Sequence, residues 1–433
     1  MSQTEFAKRR RAVMERIGPQ AVAIVPAAPH RLRNHDVHYP YRQDSDFRYL
    51  TGFPEPEAVA VLAPGRAEGE FLLFCRERDP ERETWDGRRA GQEGAQRDYD
   101  ADQALSIGKL DEVMPGLLDG REQVHHTLGQ QGWLDQKLIG WLKSLRGQSR
   151  RGVHAPPELV SLDPVLHELR LFKSAAEIEL MQHACSVTAG AHRRAMRAAK
   201  PGVREYQVAA EIHHEYERHG LTWAYGSIVG GGANACILHY VENSDVLKDG
   251  DLLLIDAGGE WQGYCADITR SFPVNGRYSG PQKAVYEVVL AAQLAAIEES
   301  RVGKHWNQPH EAAVRVLTEG LVSLGLLKGE VKELVEKEAY KRFYMHSTGH
   351  WLGMDVHDVG AYKLNNAWRV FEPDMVLTVE PGLYITPAEN VDQQFWNIGI
   401  RIEDDVLVTA KGPRVLTHEA PKQIVDIEAL MRT

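Results

Sequence analysis

Two aspartates, Asp256 and Asp267, lie in one short stretch, DLLLIDAGGEWQGYCADITRSF (251–272). The apolar run Leu252–Ile255 and the extended run Tyr264–Phe272 flank Ala257-Gly258-Gly259 and read as the arms of a β-hairpin. With the tip at Trp261-Gln262, cross-strand partners share a constant index sum, and the two aspartates are directly opposed. Opposed side chains lie roughly 4.5–5.5 Å apart at Cβ, where like charges destabilise the pair. Burying either carboxylate also favours its neutral form. A cation bound between them removes both penalties. Two solvated acids on an edge hairpin are the plainer reading, weakened because Asp256 closes an apolar run.

Strand alternation sorts the remaining acids. Ile398, Ile400 and Ile402 point one way, and Arg401, Glu403 and Asp405 the other. Thr378 and Glu380 share a face, as do Cys265, Asp267 and Thr269. Each segment sets an acid beside a threonine or an arginine, the composition of metal ligands with hydrogen-bonding supports. His346, His350 and His357 add the nitrogen donors. The 346/350 spacing shares only its histidines with the helical zinc motif HExxH, because no Glu follows the first. Gly230-x-Gly232-x-x-Ala235 matches a degenerate dinucleotide fingerprint, but NACILHYVEN after it is no helix, so a phosphate cradle lacks its helix N-terminus.

The elements that must position these residues can also be read. A chain of 433 residues is too long for one typical core and predicts two or three domains. Lys and Arg total 50 against 61 Asp and Glu, a net charge of −11, which disfavours nucleic acid or an anionic membrane as the main partner. The exception, Lys8-Arg9-Arg10-Arg11, reads as the solvated face of a short helix that buries Phe6, Val13, Met14 and Ile17. No secretory h-region follows it, and no uncharged apolar run spans a membrane. Cys75, Cys185, Cys236 and Cys265 form no CxxC pair and suit free thiols in a reducing compartment, so a cytoplasmic protein is expected. Cys265, close to Asp267, reads as a small core residue.

AVAIVPAA, AVAVLAPG and EFLLFC read as strands, and 105–119 and 133–146 as helices. The charged stretch Arg76–Gln103 reads as a long loop whose Trp85 is expected to meet a partner. A capping box at Ser174 and Glu177 opens a helix to about Ala199 and places the domain boundary at 172/173. A helix over 205–218 carries His213 and His214, read with His219 as surface residues. Helical stretches at 281–300, 309–325 and 330–340 precede the last ligand-bearing strands.

The order Asp256, Asp267, His350, Glu380, Glu403 resembles the five-ligand pattern of the pita-bread metallopeptidases, peptidase family M24. LLIDAG, DITRSFPVNG, HWLGMDVHDVG, TVEPGLYI and GIRIEDD are similar to its aminopeptidase P branch, and YRQDSDFRYLTGF to that branch's N-terminal domain. The resemblance implies an α/β (α+β) protein of two domains, a smaller N-terminal α/β domain over 1–172 and a catalytic pita-bread (creatinase/aminopeptidase) domain over 173–433. Four carboxylates and one neutral imidazole carry −4, matched by two divalent cations, and an oxygen-rich set favours manganese, cobalt or iron. The resemblance implies manganese. The metals of such sites lie roughly 3.5–4 Å apart and share the hydroxide that attacks the substrate carbonyl.

It further implies that Glu380 is both ligand and proton acceptor, that His239, His346 and His357 face the substrate, and that Arg401, with Tyr384, orients the ligands. Otherwise His239, in CILHY, would read as a satisfied core histidine. Where the family often has His-Gly, this chain has His346-Ser347, which leaves the ligands intact but alters substrate contacts. The implied reaction is release of the N-terminal residue from Xaa-Pro peptides by a homo-oligomer, a dimer or tetramer, with the N-terminal domain capping the cleft and Trp85 reaching a neighbouring active site. Prolidase, cutting Xaa-Pro dipeptides only, is the rival reading; a non-catalytic binding module or a creatine-hydrolysing relative would lack this ligand set. Asp256→Ala or Glu403→Ala is expected to abolish turnover in a peptide-cleavage assay. Activity retained in both variants would remove the metal assignment.

Overall fold

The apolar runs at Ala21–Pro26, Val59–Leu62 and Phe71–Cys75 each form a strand buried along its whole length. In the computed structural model, which describes residues 1–432, they build the centre of a six-stranded mixed sheet. Ala21–Pro26 pairs antiparallel with Val59–Leu62 and parallel with Gln123–His125, and Phe71–Cys75 pairs parallel with Gln103–Ser106. Strands buried on both faces read as continuous apolar runs, not as alternation. Val22, Ile24, Val61, Leu72 and Phe74 pack there with Met114, Leu138 and Leu142 from helices Leu110–Leu118 and Gly132–Gly147. This sheet belongs to the first of two compact units, Met1–Arg170; the second begins at Leu171.

Two expectations fail in the first unit. The basic cluster of helix Gln3–Ile17 is not wholly solvated: Arg9 and Arg10 are 5% and 4% exposed. Their guanidinium groups lie 4.1 Å and 4.2 Å from the ring centroids of Tyr49 and Phe71 and donate to the carbonyls of Tyr49 and Leu50. Planar, weakly hydrated guanidinium tolerates such stacking. The charged stretch after Cys75 is not an open loop either. Asp79 caps helix Pro80–Asp86, and a second helix covers Gly91–Tyr99.

The second unit opens with the expected capping box. Ser174 and Glu177 exchange side-chain-to-backbone hydrogen bonds at the start of helix Ala175–Ala198. This helix packs on Glu205–Arg218, and later Gly280–Glu299 packs on Asn307–Ser323. His213 is not a plain surface residue: it is half-buried, bonded to the Ser227 hydroxyl at 3.2 Å and stacked on Trp223. Among the described residues no helix is long and apolar enough to cross a membrane.

Leu252–Ala257 is the middle strand of an antiparallel set, between Ile228–Gly231 and Ile268–Pro273. The hairpin turns at Gln262-Gly263, where both residues have positive φ, 50° and 86°, a conformation that favours glycine. Its register therefore differs from expectation. Asp256 faces Thr269, and Asp267 lies just before the paired stretch of its arm, so the aspartates are offset and not directly opposed. The second ligand-bearing set pairs Val376–Val379 with Asp404–Thr409, while Gly382–Ile385 pairs with Ile398–Arg401. The stretch 398–408 is thus two strands with different partners, and Glu403 sits at the break between them.

Arg10→Ala in the full-length chain is expected to lower stability by about 1–3 kcal/mol, through lost stacking and one unmade hydrogen bond. Urea denaturation measures this, and Arg10→Lys should recover only part of the loss because ammonium cannot stack as a plane.

Candidate metal centre

Asp256 ends the apolar strand that carries it, so its carboxylate leaves the core directly into a polar pocket. Oδ2 accepts from Arg401 Nη2 at 2.6 Å and Oδ1 from the Tyr225 hydroxyl at 2.5 Å. The same hydroxyl bonds Asp267 Oδ1, so one tyrosine bridges both aspartates. Glu403 Oε2 accepts from the Thr269 hydroxyl at 2.6 Å, and that hydroxyl accepts from Arg401 Nε at 3.1 Å.

His350 and Glu380 come from neighbouring segments joined by backbone hydrogen bonds, Thr378 N to His350 O and Glu380 N to Thr348 O. Gly349 is required at this seam, since a Cβ there would stand 2.0 Å from the Thr378 carbonyl oxygen. His350 Nδ1 lies 2.9 Å from the Trp351 carbonyl and so carries the proton. Nε2 faces the carboxylates, 3.5 Å from Asp267 Oδ2 and 3.8 Å from Glu380 Oε1, and is the nitrogen that could hold a cation. The donor atoms of Asp267, His350 and Glu403 all lie within 4.8 Å of one another. Asp46, Asp163 and His167 in the first unit are equally close, but Arg170 already pairs with Asp46 at 2.8 Å.

Electrostatics test whether these residues suit a cation. Burial, then the charges of the neighbouring acids, pushes Glu403 well above the usual carboxylate range. Burial also raises Asp256, although Arg401 pulls it back, and raises Glu380 to about 7 against the pull of His350 and Arg401. Burial alone would lower His350, but its hydrogen bond to Asp267 and the Glu380 charge bring it up to about 9. The donor set therefore holds an excess of negative charge over what Arg401 balances. Four carboxylates and one imidazole, with no thiolate, fit divalent cations that prefer oxygen. Cys265 is not a donor to this group: it is buried and its thiol faces the Met354 carbonyl.

Two further histidines lie beside this cluster. His357 meets the His350 ring edge-on at 4.3 Å. His346 Nε2 lies 2.8 Å from the Tyr384 hydroxyl, which accepts from Arg401 Nη1 at 2.9 Å. Burial, then the Arg401 charge, lowers His346 to about 4, with smaller contributions from His310 and His239. Burial, then the neighbouring His350 charge, also lowers His357. His239 is exposed on the segment after the Gly232–Cys236 turn. Trp85 lies in the first unit at the end of helix Pro80–Asp86 and is 87% exposed within the chain.

Several supporting residues escaped sequence reasoning. Tyr225 gives no periodic signal, and its role depends on two aspartates more than thirty residues away. Arg270 is fully buried and donates to the Glu403 and Thr269 carbonyls and to Asp404 Oδ1 at 2.7 Å. Asp404, although buried, is held at about 2 by Arg270 and Lys422. Asp405 turns away from the ligand cluster, accepting from the Asp267 N–H and the Cys185 thiol. Alternation had placed it with Glu403; the strand break separates them.

The profile of metallopeptidase family M24 matches residues 179–410, and that of the aminopeptidase P N-terminal domain matches residues 6–125. The chain is 46% identical over 433 residues to the Xaa-Pro aminopeptidase of Escherichia coli strain K12, covering 100% of this chain and 98% of that one. The solved structure of Pseudomonas aeruginosa aminopeptidase PepP is similar at a TM-score of 0.99 and 55% identity, over 100% of this chain and 98% of that one. Escherichia coli aminopeptidase P with the inhibitor Pro-Leu is similar at a TM-score of 0.97 and 45% identity, with the same coverage. The two-domain α/β architecture, with a C-terminal pita-bread domain, is common to these proteins.

Glu380 generates a testable pH dependence. Its carboxyl binds a proton more tightly in the folded chain, at about 7, than at its ordinary 4.5. The resulting destabilisation is absent below 4.5 and complete above about 7, on the order of 3 kcal/mol. In chelator-treated protein, urea denaturation should show wild type losing that stability relative to Glu380→Gln as pH rises through this window. Added divalent metal should abolish the loss.

Proposed function

The chain belongs to metallopeptidase family M24, with an aminopeptidase P N-terminal domain, and on that premise we propose that it releases the N-terminal residue from peptides with proline in the second position. The observation that carries this reading is the convergence of Asp256, Asp267, His350, Glu380 and Glu403 beside the imidazoles of His346 and His357. We assign those five residues as holders of two divalent cations, manganese in preference to zinc because the set is rich in oxygen. When bound, such cations supply Lewis-acid activation of water and of the scissile carbonyl.

The chain's own residues supply orientation and proton transfer. Glu380, beside His350 and within reach of the reacting water, is the carboxylate placed to take and return a proton. Its carboxylate is the acceptor for the proton of the attacking water. The leaving group is the ring nitrogen of proline, which lacks a hydrogen in the peptide and must gain one when the bond breaks. The same carboxyl returns it. His239 and His357, both exposed, are assigned to hold the carbonyl oxygen as charge develops on it. His346 stays neutral and takes the Tyr384 hydroxyl proton in a hydrogen bond, while Arg401 ties Tyr384 to Asp256. A homo-oligomer of two or four copies would give the exposed Trp85 a peptide-binding role toward a neighbouring copy.

Purified protein with manganese is expected to cleave an Xaa-Pro-Yaa tripeptide at the Xaa-Pro bond and to leave an Xaa-Pro dipeptide intact. Cleavage of the dipeptide alone would make it a prolidase. No cleavage of either, with metal bound, would favour a non-catalytic binding module.

A further inference from the structure

His239 stands on a segment with little regular structure. After strand Ile228–Gly231 the chain makes a 3₁₀ turn, Gly232–Cys236, and residues 237–245 lie in neither helix nor strand. Ile237, His239 and Val241 are exposed along it, while Leu238 and Tyr240 pack inward with Tyr384. A histidine on such a segment keeps one orientation only if something outside the local backbone holds the chain.

Glu205 does so. It is the first residue of helix Glu205–Arg218 and is 0% exposed. Its Oε1 accepts from Gly231 N at 2.8 Å and Asn234 Nδ2 at 3.0 Å. Its Oε2 accepts from the Tyr240 hydroxyl at 2.7 Å and Asp245 N at 2.9 Å. The Glu205 N–H also donates to the Asp245 carbonyl. One carboxylate thus ties the two ends of the loop and the residue beside His239. Four donors fill its four acceptor sites. A glutamine there would turn an NH₂ group toward two donors, so the role requires a carboxylate. Asn243 adds a second tie, with Val229 N donating to Oδ1 and Nδ2 donating to the Ser227 carbonyl.

We propose that Glu205 is a positioning residue for the reaction, its carboxylate fixing the loop 231–245 so that His239 meets the substrate on the side shared with His346 and His357. The inference rests on peptide cleavage at this centre and adds to it a residue that touches neither metal nor substrate.

The test uses full-length, manganese-loaded enzyme and four forms, wild type, Glu205→Gln, His239→Ala and the double variant. Hydrogen exchange is followed in peptides covering 232–245, and kcat/KM is measured on an Xaa-Pro-Yaa tripeptide. In Glu205→Gln, exchange should rise about tenfold in that loop and stay unchanged elsewhere, and kcat/KM should fall about tenfold or more, the scale of one lost charged hydrogen bond. Manganese affinity should match wild type. The double variant should be no slower than His239→Ala, because the anchor acts through that side chain. Unchanged loop exchange in Glu205→Gln overturns the proposal, and so do fully multiplicative losses in the double variant. If Glu205→Gln fails to fold, Tyr240→Phe, which removes one donor of four, gives the same two readings with smaller changes. Wild type that cleaves no Xaa-Pro-Yaa peptide refutes the functional reading itself, a result visible before any variant is compared, while loop exchange still decides whether Glu205 is the anchor.

Discussion

Four carboxylates share one largely buried pocket, and most of the second unit's polar structure answers that constraint. Removing an ion from water costs several kcal/mol even after relaxation. Asp256 and Glu403 are pushed toward neutrality, and Glu380 to about 7, by burial and by one another's charges. Neutral donors and Arg401 meet only part of this demand. Tyr225 bridges Asp256 and Asp267, Thr269 serves Glu403, and Arg401 reaches Asp256, Thr269 and Tyr384 at once. The arrangement is costly without cations and chemically suited to them, a cost that stability alone does not explain.

Behind this layer a second ionic layer holds the backbone that presents it. Arg270 binds the carbonyls of Thr269, Glu403, Ala420 and Pro421, and its charge is met by Asp404, which also accepts from Lys422, Gln293 and Thr417. Asp405 fixes the Asp267 backbone from the same side. The clustered carboxylates are thus pinned through main chain from one direction and through their own oxygens from another. Such two-sided restraint gives a reaction centre its geometry before substrate arrives.

The open side is built differently. His239, His346 and His357 are carried on loops, and their orientation depends on single side-chain ties, Tyr384 for His346 and the Glu205-anchored loop for His239. The carboxylate layer is rigid because strands and buried ion pairs hold it; the imidazole layer is as ordered as its few anchors make it.

Apolar runs and period-two alternation were enough to show the strand bearing Asp256 and the strands that end just before Glu380 and Glu403, because each acid lies at or just beyond a run whose burial is local information. The capping box at Ser174 was equally legible, since both partners lie within four residues. Hairpin register was not: a turn at Gln262-Gly263, two successive residues at positive φ, shifted every partner by two places in index sum. Arg9 and Arg10 looked solvated because the rings they stack on come from Tyr49 and Phe71, tens of residues away. The sequence alone determined which residue types could bind metal, in what order, and beside which apolar runs. Only the tertiary structure decided how they meet and what supports them, because Tyr225, Arg270, Asp405 and Glu205 act through partners brought near by folding, and no local pattern records such contacts.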